Sequence, residues 1–282
     1  MSPSTIRSYN KTLSDFYKFV KALNTNLNSF PANSGHVALY ITHLHRRGLA
    51  PSTITSKMSP ISFIHKLYNK HDPVQNFLVS KLLKGLRKIR PVNDTRLPIS
   101  PSMLSDMVSS LPVIGFSLFE QLIFKAMATL AFAAFLRPGE MTESPNNLQF
   151  QDVSLFRSHI IVVFRRFKHS SGVPVTLVIK ASGTSSCPFN ALTEYIGFRG
   201  TAPGLLFCHP DGRPITYKKF SSWFDTATIL LGAHGSLSPH SLRISAASHA
   251  AASGMSDALI RQWGRWASDA FKNYIRIPAL LG

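Results

Sequence analysis

Acidic residues are scarce in this chain: 13 aspartates and glutamates stand against 31 lysines and arginines in 282 residues, a formal net charge of +18. So few carboxylates, so widely scattered, argue against a metal-dependent nuclease, which needs them clustered. Cysteine is scarcer still. Cys187 and Cys208 make neither a disulfide framework nor a zinc cluster, so the thiols are expected to be reduced and the chain intracellular. There is no P-loop, no GxGxxG after a strand and no HExxH, and no metal or cofactor is expected. The opening "MSPSTIRSYNKTL" lacks the apolar core of a signal peptide. The longest apolar stretch, "FSLFEQLIFKAMATLAFAAFL" (116–136), is interrupted by Glu120, Gln121 and Lys125. It reads as the buried central helix of a soluble domain, not a membrane span.

Against these absences stands an excess of positive charge, unevenly placed. Residues 1–92 carry 14 lysines and arginines and 2 acids, whereas residues 93–282 carry 17 and 11. With 44% hydrophobic and 16% charged residues the chain has enough apolar surface to fold. A folded region this basic points to a polyanion partner, nucleic acid before an anionic membrane.

Helical periodicity dominates the first third. Residues 3–23, 34–48, 50–70 and 74–89 each repeat apolar positions at helical spacing. Ser4 or Thr5 is expected to cap the first helix and Ser34 the second, which Gly48 stops; Pro51-Ser52 starts the third, with a kink or break at Pro60. The proline-bearing "RPVNDTRLPISPSM" (90–103) reads as a linker. Helices are then expected at about 101–111 and 116–136. "HIIVVFRRF" (159–167) and "VPVTLVI" (173–179), joined by "KHSSG", form a β-hairpin. Helices resume from about 188. The fold class is therefore mainly α with a small antiparallel β-sheet, in a domain of residues 1–92, a linker of 93–100 and a domain of 101–282.

Three motifs could carry chemistry. In "SPHSLRISAASHAAASG" (238–254), Ser238 is the expected N-cap and Pro239 the first helical residue, which puts His240 and Arg243 on one face near an anion-attracting helix start. In "AFAAFLRPGEMTE" (131–143), Arg137 emerges from a buried helix and needs a partner, either Glu140 or a ligand phosphate. Lys168, where the hairpin loop begins, can reach into a groove or can simply be solvated.

In this order, with "GRW" (264–266) and Tyr274 behind them, "FLRPGE", Lys168 and "HSLR" (240–243) resemble the tyrosine recombinases of the phage integrase family. The resemblance extends to the basic helical first region, which is similar to that family's SAM-like core-binding domain. It implies a two-domain clamp on double-stranded DNA, working as a homodimer or homotetramer on DNA, without a membrane, in the nucleus of a eukaryote or the cytoplasm (nucleoid) of a bacterium. It further implies a site-specific recombinase that integrates or excises a mobile element, making a 3′-phosphotyrosyl bond without metal or ATP. The implied catalytic residues are Arg137, Lys168, His240, Arg243, Trp266 and Tyr274. Glu140 is expected to support the arginine box, and Lys168, not its neighbour His169, to be the acid. Lys57, Lys66, Lys84, Arg87 and Lys88 are candidate phosphate contacts in the first domain.

The pattern departs from the family in two places. Tyr274 follows Trp266 by eight residues where many members have nine, which leaves delivery to its own or a neighbour's site open; and only eight residues follow Tyr274, where many members have a longer docking segment. The "GRWxSxAFxxYIR" flavour is similar to recombinases of eukaryotic DIRS-type retrotransposons. A catalytically silent DNA-binding descendant and a type IB topoisomerase-like enzyme are the alternatives.

Overall fold

In the computed structural model, residues 1, 3–23, 30–89, 94–168, 170, 172–229, 232 and 237–277 are described. His169, Arg90 to Asn93 of the expected linker, and Leu230 and Leu231 lie outside them. The chain is mainly helical, with one three-stranded antiparallel sheet among the described residues, and divides into two compact units, Met1–Asp94 and Thr95–Gly282.

In the first unit, helices α1 (Pro3–Leu23), α2 (Ser34–Arg46), α3 (Pro51–Leu67) and α4 (Phe77–Ile89) enclose Phe16, Val20, Tyr40, Ile41, Ile54, Met58, Ile61 and Val79. Two expected caps are corrected. α1 already begins at Pro3, so Ser4 and Thr5 lie inside its first turn. α2 is capped by Asn33, not Ser34: the Asn33 carboxamide oxygen accepts the His36 N–H at 2.9 Å, and His36 Nδ1 takes the Asn33 N–H in return. The asparagine side chain is as good an N-cap acceptor as serine and stands one residue earlier. α3 runs through Pro60 without a break, its face held by buried Ile54, Met58 and Ile61, so tertiary packing outweighs the missing N–H. His65, on the same helix and fully buried, accepts the Ala32 N–H at 2.9 Å through Nε2, which leaves Nδ1 to donate to the Ile61 carbonyl at 2.7 Å.

The second unit is built around α6 (Leu118–Ala133), which packs against α7 (Pro188–Arg199) and α9 (Ser241–Ala252). Ile123, Phe124, Ala126, Met127, Leu130 and Ala131 are all fully buried, as expected for a helix that is apolar nearly all round. Among the described residues no helix is long and apolar enough to cross a membrane. Strands β1 (Val153–Leu155), β2 (His159–Phe164) and β3 (Val175–Lys180) form the sheet in the order β1-β2-β3, with Val162 opposite Leu177. β1 was not anticipated, being only three residues long. α5 (Pro101–Ser109), α8 (Tyr217–Ile229), α10 (Asp257–Trp263) and a 3₁₀ helix at Asp269–Tyr274 complete the unit. Residues 94–100 have no regular structure, yet Ile99 is fully buried and its N–H donates to Ser245 Oγ at 2.6 Å.

α9 starts two residues later than the Ser238-Pro239 pair suggests. The Ser241 N–H donates to the Ser238 carbonyl at 2.7 Å, and Ser241 Oγ accepts the Ser238 N–H at 3.1 Å. This closed turn puts Pro239 and His240 ahead of the helix, with His240 at the N-cap position.

α6 opens on a capping box between Ser117 and Glu120. Burial alone would raise the Glu120 pKa, but Trp223 Nε1 at 2.9 Å, Lys219 Nζ at 3.0 Å and the Ser117 N–H and hydroxyl outweigh it and hold the carboxyl at about 2. Its folded pKa lies below its ordinary value of 4.5, so the stabilisation is present above that value and is lost as pH falls toward 2. Acid titration of the urea midpoint is expected to show this loss, and Glu120→Gln to flatten it between those limits; an unchanged profile in the variant would remove Glu120 as its cause.

Candidate active site

Where α6 ends, the backbone turns sharply: Phe135 has φ of +53°, and Arg137 emerges into the Pro138–Glu140 turn. The last carbonyls of α6 meet those at the end of α10. Helix C-termini carry unsatisfied carbonyls and partial negative charge, and here they solvate two buried guanidinium groups. Arg243 Nη1 donates to the Phe135 carbonyl and Nη2 to the Gly264 carbonyl. Arg265 donates to the carbonyls of Ala134 and Phe135, each at 3.2 Å, and of Trp263 at 2.8 Å. The Arg265 guanidinium also lies 3.7 Å from the centre of the Phe164 ring at the end of β2.

Glu140, 2% exposed, is the acid at the centre. Its Oε2 accepts from Arg265 Nη2 and from the Arg137 N–H, both at 2.8 Å, and its Oε1 accepts from Arg137 Nη1 at 3.3 Å. Arg137 thus pairs with Glu140, the internal partner considered from sequence, and its side chain is still 19% exposed. Arg243 is fully buried, and among the described residues it pairs with no acid and its Nε has no hydrogen-bond partner. Burial, followed by the charges of Arg137 and Arg265, holds its pKa well below the ordinary arginine range, with Glu140 and Tyr274 opposing. Burial likewise lowers Arg265, against the pull of Glu140. Arg137 and Arg265 both bond to Glu140, which also acts on Arg243 through its charge, so among the described residues guanidinium groups outnumber carboxylates in this cluster.

Aromatic rings cover this cluster. The Trp266 ring centre lies 4.0 Å from the Arg243 guanidinium and 5.2 Å from the Tyr274 ring, which in turn lies 5.4 Å from the His240 ring. The Tyr274 ring is 5.9 Å from the Arg243 guanidinium. The structure therefore gathers Arg137, His240, Arg243, Trp266 and Tyr274 into one cluster, with Arg137 on Glu140 and the three rings linked to Arg243. It does not turn the Arg243 fork to solvent: Trp266 lies over it. Lys168 sits in the turn after β2, exposed. A cavity of about 450 Å³, lined by Phe167, Val175, Arg261, Gln262, Arg265 and Trp266, separates the base of that hairpin from α10.

Sequence reasoning missed Arg265 as a site residue, although it lies within "GRW". It also passed over Gly264, where an added Cβ would fall 1.5 Å from Trp266 Cζ3. The backbone there suits any residue, so the constraint is the indole seated in the place of a side chain. Gly264→Ala is expected to cost about 1–3 kcal/mol by overpacking. Trp266→Ala in the same chain should remove that cost, a coupling that a double-mutant cycle in urea reads directly. Additive effects would mean that the two groups do not compete for space.

Of the basic residues expected to meet DNA, Lys84, Arg87 and Lys88 are exposed on α4, with Arg87 Nη2 3.4 Å from Thr55 Oγ1. Lys66 pairs with Asp72 at 3.3 Å, and Lys57 stands 3.9 Å from Asp15. Among the described residues no group of three His, Cys, Asp or Glu side chains could hold a metal ion.

Comparison with known proteins yields two family matches. The phage integrase family matches residues 120–277, and the phage integrase N-terminal SAM-like domain matches residues 1–69. The chain is similar to the tyrosine recombinase XerC of Halalkalibacterium halodurans, 28% identical over 263 residues, covering 88% of this chain and 78% of that protein. It is 24% identical to XerC of Proteus mirabilis, over 88% of this chain and 75% of the relative. Among solved structures, the Tn1549 transposon integrase in complex with transposon right end DNA superposes with a TM-score of 0.67 at 14% identity, covering 98% of this chain and 90% of the other. The XerH site-specific recombinase bound to its difH substrate gives 0.68 at 15% identity, over 96% and 75%. At those identities the structural likeness speaks for the fold.

Proposed function

Because this chain belongs to the phage integrase family and is a tyrosine recombinase, we propose that it cleaves and rejoins DNA strands through a 3′-phosphotyrosyl intermediate on Tyr274. The observation that carries this reading is an excess of guanidinium over carboxylate beside a phenol: among the described residues Arg137, Arg243 and Arg265 stand against the single carboxylate of Glu140, and the Tyr274 ring lies 5.9 Å from the Arg243 guanidinium. A phosphodiester brings the missing negative charge, and more of it gathers on the non-bridging oxygens as a fifth oxygen approaches phosphorus. Arg137 meets those oxygens first, being partly exposed; Arg243 follows when the Trp266 indole moves aside, its planar fork suited to two phosphate oxygens.

The Tyr274 oxygen attacks phosphorus in line, and its proton passes to His240, which also hydrogen-bonds the phosphate. The bond to the 5′-oxygen breaks, and Lys168, carried in by the hairpin, protonates that oxygen. The DNA 3′-phosphate is then esterified to the protein and a 5′-hydroxyl is free. Attack by the 5′-hydroxyl of a second strand reverses the step. Trp266 donates its single N–H to the phosphate once there. Tyr274 packs against His240, Trp266 and Arg243 of its own chain, which supports delivery in cis. Residues 1–92 supply duplex contacts through Lys84, Arg87 and Lys88, with Lys57 and Lys66 exchanging their carboxylate partners for phosphates. The working form is a dimer or tetramer on DNA, in the nucleus or nucleoid. Movement of a mobile element and the DIRS-type affiliation both rest on the sequence resemblance, the latter at residues 264–276.

The test is incubation with a nicked duplex bearing the chain's recombination site, so that the cleaved strand diffuses away and traps the intermediate. A denaturant-resistant protein–DNA adduct with a free 5′-hydroxyl is expected. Tight binding without adduct would replace this reading with that of a catalytically silent DNA-binding protein.

A further inference from the structure

α9 carries, besides Arg243, two buried serines that face chain segments far from it in sequence. Ser248 is fully buried. Its hydroxyl donates to the Tyr274 carbonyl at 3.0 Å and accepts the Arg276 N–H at 2.8 Å. One side chain therefore grips the backbone on both sides of Ile275. The Arg276 side chain closes the grip from outside, with Nη1 donating to the Asn273 carbonyl at 2.7 Å and Nε to the Arg96 carbonyl at 3.2 Å. Ser245, three residues before Ser248, holds the Ile99 N–H at 2.6 Å and returns its own proton to the Ser241 carbonyl at 2.6 Å.

This arrangement has a consequence for the reaction. The 3₁₀ helix Asp269–Tyr274 is one short stretch, and Tyr274 is its last residue, where fraying begins. Within that helix Phe271 is its buried anchor, three residues ahead of the tyrosine. After that anchor the phenol-bearing backbone is tied by the Ile275 N–H to the Lys272 carbonyl at 3.3 Å and, from outside the segment, by the Ser248 hydroxyl, on the helix that also places Arg243. Nucleophile and phosphate receptor are thus referenced to one rigid element, as in-line attack requires.

We propose that Ser248 is the positioning residue of the nucleophile, acting through the Tyr274 and Arg276 backbone, and that Arg276 ties this latch to residues 95–99. The proposal rests on the reading of Tyr274 as nucleophile. Ser248 touches neither the phenol oxygen nor the phosphate, so it is not itself catalytic.

The test compares full-length wild type with Ser248→Ala and Ser248→Thr. In Ser248→Ala the Arg276 amide is expected to lose its protection against hydrogen exchange, with α6 and the rest of α9 unchanged. Single-turnover adduct formation on the nicked duplex is expected to slow by roughly 10–100-fold, with DNA affinity and the pH profile kept. Ser248→Thr, which retains the hydroxyl, restores both readouts. Arg276→Ala is the second variant should the buried serine not tolerate change: exchange at residues 273–277 rises and cleavage slows in the same way. Unchanged exchange at Arg276 in Ser248→Ala overturns the proposal, as does a rate loss matched by equal losses in binding and thermal stability. An adduct that survives Tyr274→Phe overturns the nucleophile assignment instead, while the exchange measurement still decides the latch.

Discussion

Tyr274→Phe is expected to leave no covalent protein–DNA adduct, with cleavage falling by more than about 10⁴-fold. Only one oxygen is removed. The ring that packs at 5.2 Å from Trp266 and 5.4 Å from His240 is retained, so the cover over Arg243 is kept. Duplex affinity should therefore hold to within a few-fold, because a single neutral hydrogen bond is worth about 1 kcal/mol. The two readouts separate the roles. Gel shift on the recombination site reports the receptor; denaturing electrophoresis of the nicked duplex reports the nucleophile. Equal loss of both would mean that Tyr274 serves packing, and an undiminished adduct would point to another nucleophile.

The second large effect is on the folded state. Glu140→Ala is expected to destabilise the second unit by about 3–5 kcal/mol, since removing one partner of a buried pair leaves charge uncompensated. Here the surplus is greater than for a simple pair. Arg265 is fully buried and Arg137 is partly so, both bonded to Glu140, and Arg243 lies close enough to feel all three charges. The Arg137 N–H also loses its acceptor at 2.8 Å. Glu140→Gln keeps an acceptor oxygen but not the charge, so it should fall between wild type and alanine. Urea denaturation followed by tryptophan emission measures the order. Coincident midpoints for the three proteins would show that water and helix carbonyls already neutralise the cluster.

How much of this was legible in the sequence differs from element to element. α6 was plain because its signal is local, a run of apolar residues on nearly every face, though that same run carried the expected helix three residues past its end at Ala133. The start of α9 was misplaced by two residues because Ser238 and Pro239 look like a helix opening, while the deciding bond comes from Ser241. The cap of α2 went to Ser34 because Asn33 and Ser34 are both good acceptors and only geometry chooses between them. Membership of the site was read from five short motifs in order, since Arg137, Arg243 and Tyr274 come together only through α6, α9 and the last 3₁₀ helix. What could not be read was which arginine would be hidden. Arg243 and Arg265 sit among ordinary neighbours in sequence; their burial arises where two helix ends meet, 128 residues apart along the chain at Arg137 and Arg265. Ser248 carried no signal either, being one small residue in an alanine-rich helix.

The indole lying over Arg243 has a consequence for how fidelity is exercised. On the proposed reading, a chain with a net charge of +18 settles on almost any duplex, so affinity alone discriminates poorly. With its inner arginine sheathed at rest, the chain meets a stray phosphate half-armed. Under the proposed mechanism, only a duplex that supplies enough contact energy to unsheathe that arginine is committed to breakage, so selectivity between sites is written into the speed of the first cut more than into residence on the DNA.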